Sequence, residues 1–169
     1  DGTFEKPKSG LYNGEGRKEI PGGKHQWLVY CLDRDQGTVL WKKEVHQGTP
    51  PVGRHPKNTY ASETPCVDEH RVYVLFGDLG LYCFDHGGRA LWDVPIEPEE
   101  TMRDYGAAAS PVLEGNRIFV QYDNANASFI AAFETTTGKE LWRKPREEKT
   151  TWATPFIWKT ESRNELITA

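Results

Sequence analysis

Methionine and cysteine are scarce in this chain, and long apolar runs are absent. Its one methionine, Met102, is internal and the first residue is Asp1, so the 169 residues read as a processed or excised piece. Three cysteines, Cys31, Cys66 and Cys83, are too few for a disulfide framework and lack metal-ligand spacing. No stretch approaches the roughly 18 consecutive apolar residues of a spanning helix, and no secretory signal pattern is present. Neither charge dominates: 21 Lys and Arg stand against 25 Asp and Glu, a formal net of −4, which gives no electrostatic footprint for nucleic acid. A sustained 3.6-residue stripe is missing too; "EPEETMRDYG" (97–106) allows at most one or two helical turns. What remains is 16 Gly, 11 Pro, 6 Trp, 7 Tyr and 7 Phe, the composition of a turn-rich β protein.

The organisation lies in a repeat. "GTVLW" (37–41), "GRALW" (88–92) and "GKELW" (138–142) end longer matching phrases, "YCLDRDQGTVLW", "YCFDHGGRALW" and "AAFETTTGKELW". Upstream, "SETPCVDEHRVYVLF" (62–76) matches "AASPVLEGNRIFVQY" (108–122), and Pro155 in "WATPFIWK" begins the pattern again. A period near 50 residues indicates a solenoid, a propeller or an array. Each period holds four short predicted strands: 60–67, 70–76, 80–85 and 89–95 in one, 107–113, 117–122, 128–134 and 139–144 in the next. Asp- and Gly-rich turns separate them. Four antiparallel strands per repeat make the blade of a β-propeller, so the expected fold class is all-β.

The phrases at 31–41 and 132–142 resemble the tryptophan-docking motif of PQQ-like (quinoprotein-type) propellers, A-x-D-x-x-T-G-K-x-x-W. Cys31, Cys83 and Ala132 take its alanine position, Asp33, Asp85 and Glu134 its acidic one, Gly37, Gly88 and Gly138 its glycine, and Trp41, Trp92 and Trp142 its tryptophan. "HPKNTYASETP", "FGDLGLYCFD" and "WATPFIWK" further resemble BamB-like repeat proteins of exported bacterial families. The resemblance implies that the tryptophan of one blade packs on the glycine turn of the next, a burial of about 2–3 kcal/mol per junction. It also implies an extracytoplasmic, periplasmic setting. Residues 26–169 are expected to hold a half blade (26–46), two blades (58–96 and 106–145) and a second half blade (150–169), after a polar inserted loop over 1–25. Propellers of this kind close with about seven or eight blades, so the incomplete ring reads as an internal fragment of a longer protein. Its exposed blade edges are then prone to self-association.

The docking tryptophans read as packing rather than as a ligand platform, and the cysteines as small structural residues: buried at 31 and 83, in a strand at 66. Asp123, Asn124 and Asn126 are hard oxygen donors in principle, yet lack the spacing and glycine of a calcium loop, which favours a polar turn. The five histidines form no i, i+2 or i, i+4 pair. The leads into the innermost strands are richer. Arg54, His55, Lys57, Asn58, Tyr60, Arg103, Asp104, Tyr105, Lys149 and Trp152 are expected at the mouth of the central channel, as ligand contacts or as an ordinary solvated loop set.

The expectation is therefore a non-catalytic scaffold segment with protein partners, no catalytic residues, no metal, and no cofactor within the segment. Under the alternative it is part of a PQQ- and calcium-dependent dehydrogenase whose ligands lie elsewhere; a small-ligand or carbohydrate-binding propeller is the third reading.

Overall fold

The computed structural model describes residue 14 and residues 23–169. The polar loop expected over 1–25 lies outside them but for residues 14 and 23–25. Among the described residues twelve strands form four antiparallel sheets. β1 (His25–Leu32) pairs with β2 (Val39–Gly48). One meander follows, β3 (Cys66–Val67), β4 (Arg71–Phe76), β5 (Gly80–Asp85) and β6 (Ala90–Pro95). A second repeats it with β7 (Val112–Glu114), β8 (Arg117–Tyr122), β9 (Phe129–Glu134) and β10 (Glu140–Pro145). β11 (Phe156–Lys159) and β12 (Asn164–Ile167) close the series as a hairpin. One 3-10 turn, Met102–Asp104, is the only helical piece among the described residues. The fold is all-β: two whole blades with a half blade at each end, in an open ring.

Within a blade, the middle strands are apolar on both faces because a neighbouring sheet covers each one. In β4, Tyr73 and Leu75 join Ile118, Val120 and Phe133 of the following blade in one core. Val74 and Phe76 on the opposite face pack with Trp27 and Val29 of β1. Such strands read as continuous apolar runs rather than as alternation. The outermost strands, by contrast, are largely exposed, with the tryptophan of each partly buried.

The innermost strands are shorter than expected. β3 and β7 begin only after Pro65 and Pro111, whose nitrogens cannot donate to a ladder. Across this stretch, side chains replace the ladder. The Thr64 N–H donates to Ser110 Oγ of the next blade (2.8 Å), and the Ser110 N–H donates to Thr154 Oγ1 of the one after (3.0 Å). Each hydroxyl residue directly precedes a proline.

A bulge recurs in the outermost hairpin of three sheets. Cys31 faces Trp41 while Leu32 faces Val39, skipping Leu40. Cys83 faces Trp92 while Phe84 faces Ala90, skipping Leu91. Ala132 faces Trp142 while Phe133 faces Glu140, skipping Leu141. One extra residue re-aims the strand. It turns the indole against a small partner, Cys or Ala, and leaves one leucine per sheet exposed.

Candidate functional site

The glycine turns and the tryptophans meet between sheets. Gly37, Gly88 and Gly138 have φ of 68°, 80° and 73°, a region that side chains resist. The acidic residue ahead of each glycine fastens the turn: Gly37 N–H donates to the Asp33 carbonyl (2.8 Å), Gly88 N–H to that of Asp85 (2.9 Å), and Gly138 N–H to that of Glu134 (2.9 Å). A Cβ at Gly88 would lie 2.7 Å from the Trp41 ring, and one at Gly138 would lie 2.6 Å from Trp92. The indole N–H of Trp41 donates to the His86 carbonyl (2.9 Å), and that of Trp92 to the Thr135 carbonyl (3.1 Å). In both cases the acceptor is the residue directly after the acidic one. Trp142 leans on Phe119 of its own blade, with ring centroids 6.0 Å apart.

In the leads to the innermost strands the structure brings several of the expected residues together. His55 and Tyr105 meet edge to face at 4.8 Å, and Tyr105 lies 5.7 Å from Trp152. The Arg54 guanidinium sits over Tyr60 at 5.2 Å and donates to the Asn58 carbonyl (2.6 Å). Asn58 Nδ2 donates to the Tyr105 carbonyl (2.7 Å), and Trp152 Nε1 donates to that of Gly106 (2.7 Å). These bonds tie successive blade leads to one another. Lys57 contributes only its backbone N–H, to His55 Nδ1 (3.1 Å). Arg103 and Asp104 both adopt positive φ, 56° and 53°, and Asp104 is buried while Arg103 is exposed. Lys149 is exposed.

Three features of this region were not singled out in the sequence. Glu63 is buried, accepting from Gly77 N–H (2.9 Å) and Ser62 N–H (3.0 Å). Burial pushes its pKa up to about 7, and the nearby Asp78 adds to the shift. Burial also raises Asp78, to about 6. Glu63, Gln121, Asp123 and Thr151 line a cavity between the two whole blades of about 10 Å³, enough for about one water molecule. The third feature is a buried ion pair: Asp123 accepts from Arg146 Nε (2.8 Å) and from Thr151 Oγ1 (2.7 Å).

Asn124 Oδ1 accepts from the N–H groups of Asn126 (2.9 Å) and Ala127 (2.6 Å), the geometry of a polar turn. The three cysteines are free. Cys83 is buried as expected, but Cys31 is only half-buried, because no sheet precedes its own among the described residues. Burial pushes the Cys66 and Cys83 thiols up to about 12. Among the described residues no three His, Cys, Asp or Glu side chains converge as metal donors. No described helix is long and apolar enough to cross a membrane.

Comparison with known proteins gives these observations a family. A profile described as outer membrane protein assembly factor BamB matches residues 25–159. No curated protein matches the chain. Among solved structures, BamB from Moraxella catarrhalis is 16% identical with a TM-score of 0.47, over 69% of this chain and 30% of that one. Quinohemoprotein alcohol dehydrogenases from Pseudomonas putida (21% identical, TM-score 0.49) and Comamonas testosteroni (15%, 0.49) each align over 70% of this chain and 18% of theirs. This chain thus spans less than a third of the length of each of these structures. With the profile covering most of the chain, and with the four-stranded sheets and recurrent glycine–tryptophan junctions within it, the chain belongs to the BamB-type family of PQQ-like β-propeller repeats.

Proposed function

We propose that this segment is a non-catalytic scaffold in an exported, periplasmic bacterial protein, presenting a rigid rim to protein partners. One observation carries the reading: the recurring bulge turns Leu40, Leu91 and Leu141 out to solvent at the same register in three successive sheets. Matched apolar side chains repeated on a stiff frame offer a partner regularly spaced points of contact. The mouth residues support the same reading. Arg54 Nη1, Asn58 Nδ2 and Trp152 Nε1 each donate to a backbone carbonyl of the frame. The blade-docking role of Gly37, Trp41, Gly88, Trp92, Gly138 and Trp142 belongs to this proposal, as does the assignment of blade limits.

The test is a photo-reactive side chain at position 91, used in bacteria that export the protein. Discrete adducts are expected, and they should vanish when Leu40 and Leu141 are both replaced by serine while the melting temperature holds. In parallel, titration with PQQ and calcium should give no saturable binding and no dye reduction with alcohols or sugars. Binding accompanied by dye reduction would overturn the scaffold reading in favour of a dehydrogenase segment.

A second reading has its own observation. The His55, Tyr105 and Trp152 rings cluster at the mouth, an arrangement suited to stacking on a small ligand or sugar. Tyr105→Ala with Trp152→Ala should then abolish sugar binding without lowering the melting temperature; unchanged affinity would dispose of it.

A further inference from the structure

We propose that the cavity between the two whole blades binds one dehydrated alkali-metal cation, held by oxygens of Glu63, Gln121, Asp123 and Thr151. The site lies between complete blades and takes nothing from the scaffold reading, which would stand if the cation proved absent.

The repeat departs from itself at this cavity. Setting the two whole blades in register on Pro65 and Pro111 places Glu63 against Ala109, Gln121 against Leu75 and Asp123 against Gly77. Pro155 adds Ala153 as a second alanine at the Glu63 position. Each departure supplies a side-chain oxygen where the equivalent residue has none, and all three line the same cavity. Gly77 is needed there as well. A Cβ on it would lie 2.8 Å from Glu63 Oε1, which accepts the Gly77 N–H. Buried polar groups cost stability unless something satisfies them.

Donors and acceptors on the lining do not balance. Gln121 is 1% exposed, and its Oε1 has no partner among the described residues. Its Nε2 donates to Asp123 Oδ2 (2.9 Å) and Thr151 Oγ1 (3.2 Å). The Thr151 hydroxyl donates to Asp123 Oδ2 (2.7 Å), and that of Tyr122 donates to the Glu99 carbonyl (3.3 Å). The side-chain donors are thus committed, whereas Gln121 Oε1 is free to accept and each Glu63 oxygen, with one N–H on it, keeps a lone pair. Such a lining favours a guest that brings positive charge.

Charge and size narrow the guest further. Asp123 is answered by Arg146 at 2.8 Å, while no Lys, Arg or His lines the cavity beside Glu63. One uncompensated carboxylate calls for one positive charge. The other titratable groups near Glu63 are Tyr122, on the lining, and Asp78, which adds negative charge without lining the cavity. Room for about one water molecule admits an ion only without its hydration shell. Magnesium sheds water reluctantly and calcium takes about six to eight oxygens, so a monovalent ion fits better. A proton competes for the same place. Burial pushes Glu63 up to about 7, so the ion is held above that pH and released as pH falls through it.

Thermal unfolding at constant ionic strength in potassium, sodium, caesium and choline chlorides tests this. At pH 8 the chain should melt higher in potassium or sodium than in choline, along a saturating curve. Caesium, a larger ion, should do less. From pH 8 to pH 6 the apparent affinity should fall about tenfold, the factor by which a pKa of about 7 depletes the ionised carboxyl. Glu63→Gln keeps the volume and removes the charge. Gln121→Leu restores the residue of the preceding blade and removes the unpartnered oxygen. Each variant should melt alike in potassium and choline. Equal melting of the wild-type chain in choline and the alkali chlorides, the behaviour of a cavity that holds only water, would overturn the proposal. So would a caesium effect as large as that of potassium, or an ion response that survives Glu63→Gln.

Discussion

Leu32, Phe84 and Phe133 occupy one register position in three successive sheets. Phe84 is 3% exposed and Phe133 is fully buried, whereas Leu32 is 51% exposed. The far end repeats the contrast, with Ile167 at 45% and its counterpart Leu75 at 3%. Leu32 and Phe84 face Val39 and Ala90 across equivalent bulges, and Ile167 and Leu75 follow equivalent turns; what differs is the sheet beside them. Burial in this molecule is conferred by the adjacent blade, so stability accrues at junctions, as in other repeat architectures.

The sharpest way to break this comparison is to make one change at an interior junction and at the end. Gly88→Ala should cost about 2–5 kcal/mol, combining positive-φ strain with a Cβ driven into Trp41. Gly37→Ala bears only the strain, about 1–2 kcal/mol. Urea unfolding of the monomer measures both, and equal losses would deny that the socket is what differs.

Asp123→Ala asks how the C-terminal hairpin is held. Arg146 also donates to Thr168 Oγ1 (2.8 Å) and the Ala169 carbonyl (3.0 Å), so it links the last whole blade to the end of the chain. Stranding that guanidinium without its carboxylate should cost about 3–5 kcal/mol. Loss of amide protection in β12 before the rest of the chain would locate the damage.

Glu63 marks the inner side of the first whole blade. Its folded pKa, about 7, lies above its unfolded value, so the folded state binds the proton more tightly. Its contribution is fully present below about pH 4.5 and is lost as pH rises through 7, a swing on the order of 2–3 kcal/mol. Asp78 adds a smaller effect of the same sign, lost through about pH 6. Thermal unfolding at pH 5.5 and pH 8 should show higher stability at the acidic value. Glu63→Gln should flatten most of that difference.

The smallest expected effect belongs to the hydroxyl series. Ser110→Ala leaves the Thr64 N–H without its acceptor and should cost about 1 kcal/mol. Thr64→Val removes a hydroxyl with no partner and should cost less, which compares the same device at an interior and an end position.

Much of the fold was legible because it repeats locally. The strand runs, the glycine turns and the indoles lie within a dozen residues of one another, and three copies reinforce the pattern. The innermost strands are shorter than expected because the runs 60–67 and 107–113 cross Pro65 and Pro111, and the groups replacing their ladder lie 44 and 46 residues away. The repeat puts His55, Tyr105 and Trp152 in the leads to successive innermost strands, and their rings do meet. Glu63 and the Asp123–Arg146 pair were not, since a carboxylate carries no sign in sequence of what will cover it.

Docked indoles are the centre of this account, and hydrogen exchange at the tryptophan Nε1–H groups tests them most directly. With nitrogen-15 labelling and at a concentration where the chain is monomeric, the indole N–H groups of Trp41 and Trp92 should exchange slowly, held by the carbonyls of His86 and Thr135. That of Trp142 should exchange fast. Equal rates at all three, or rapid exchange at Trp41 and Trp92, would contradict it.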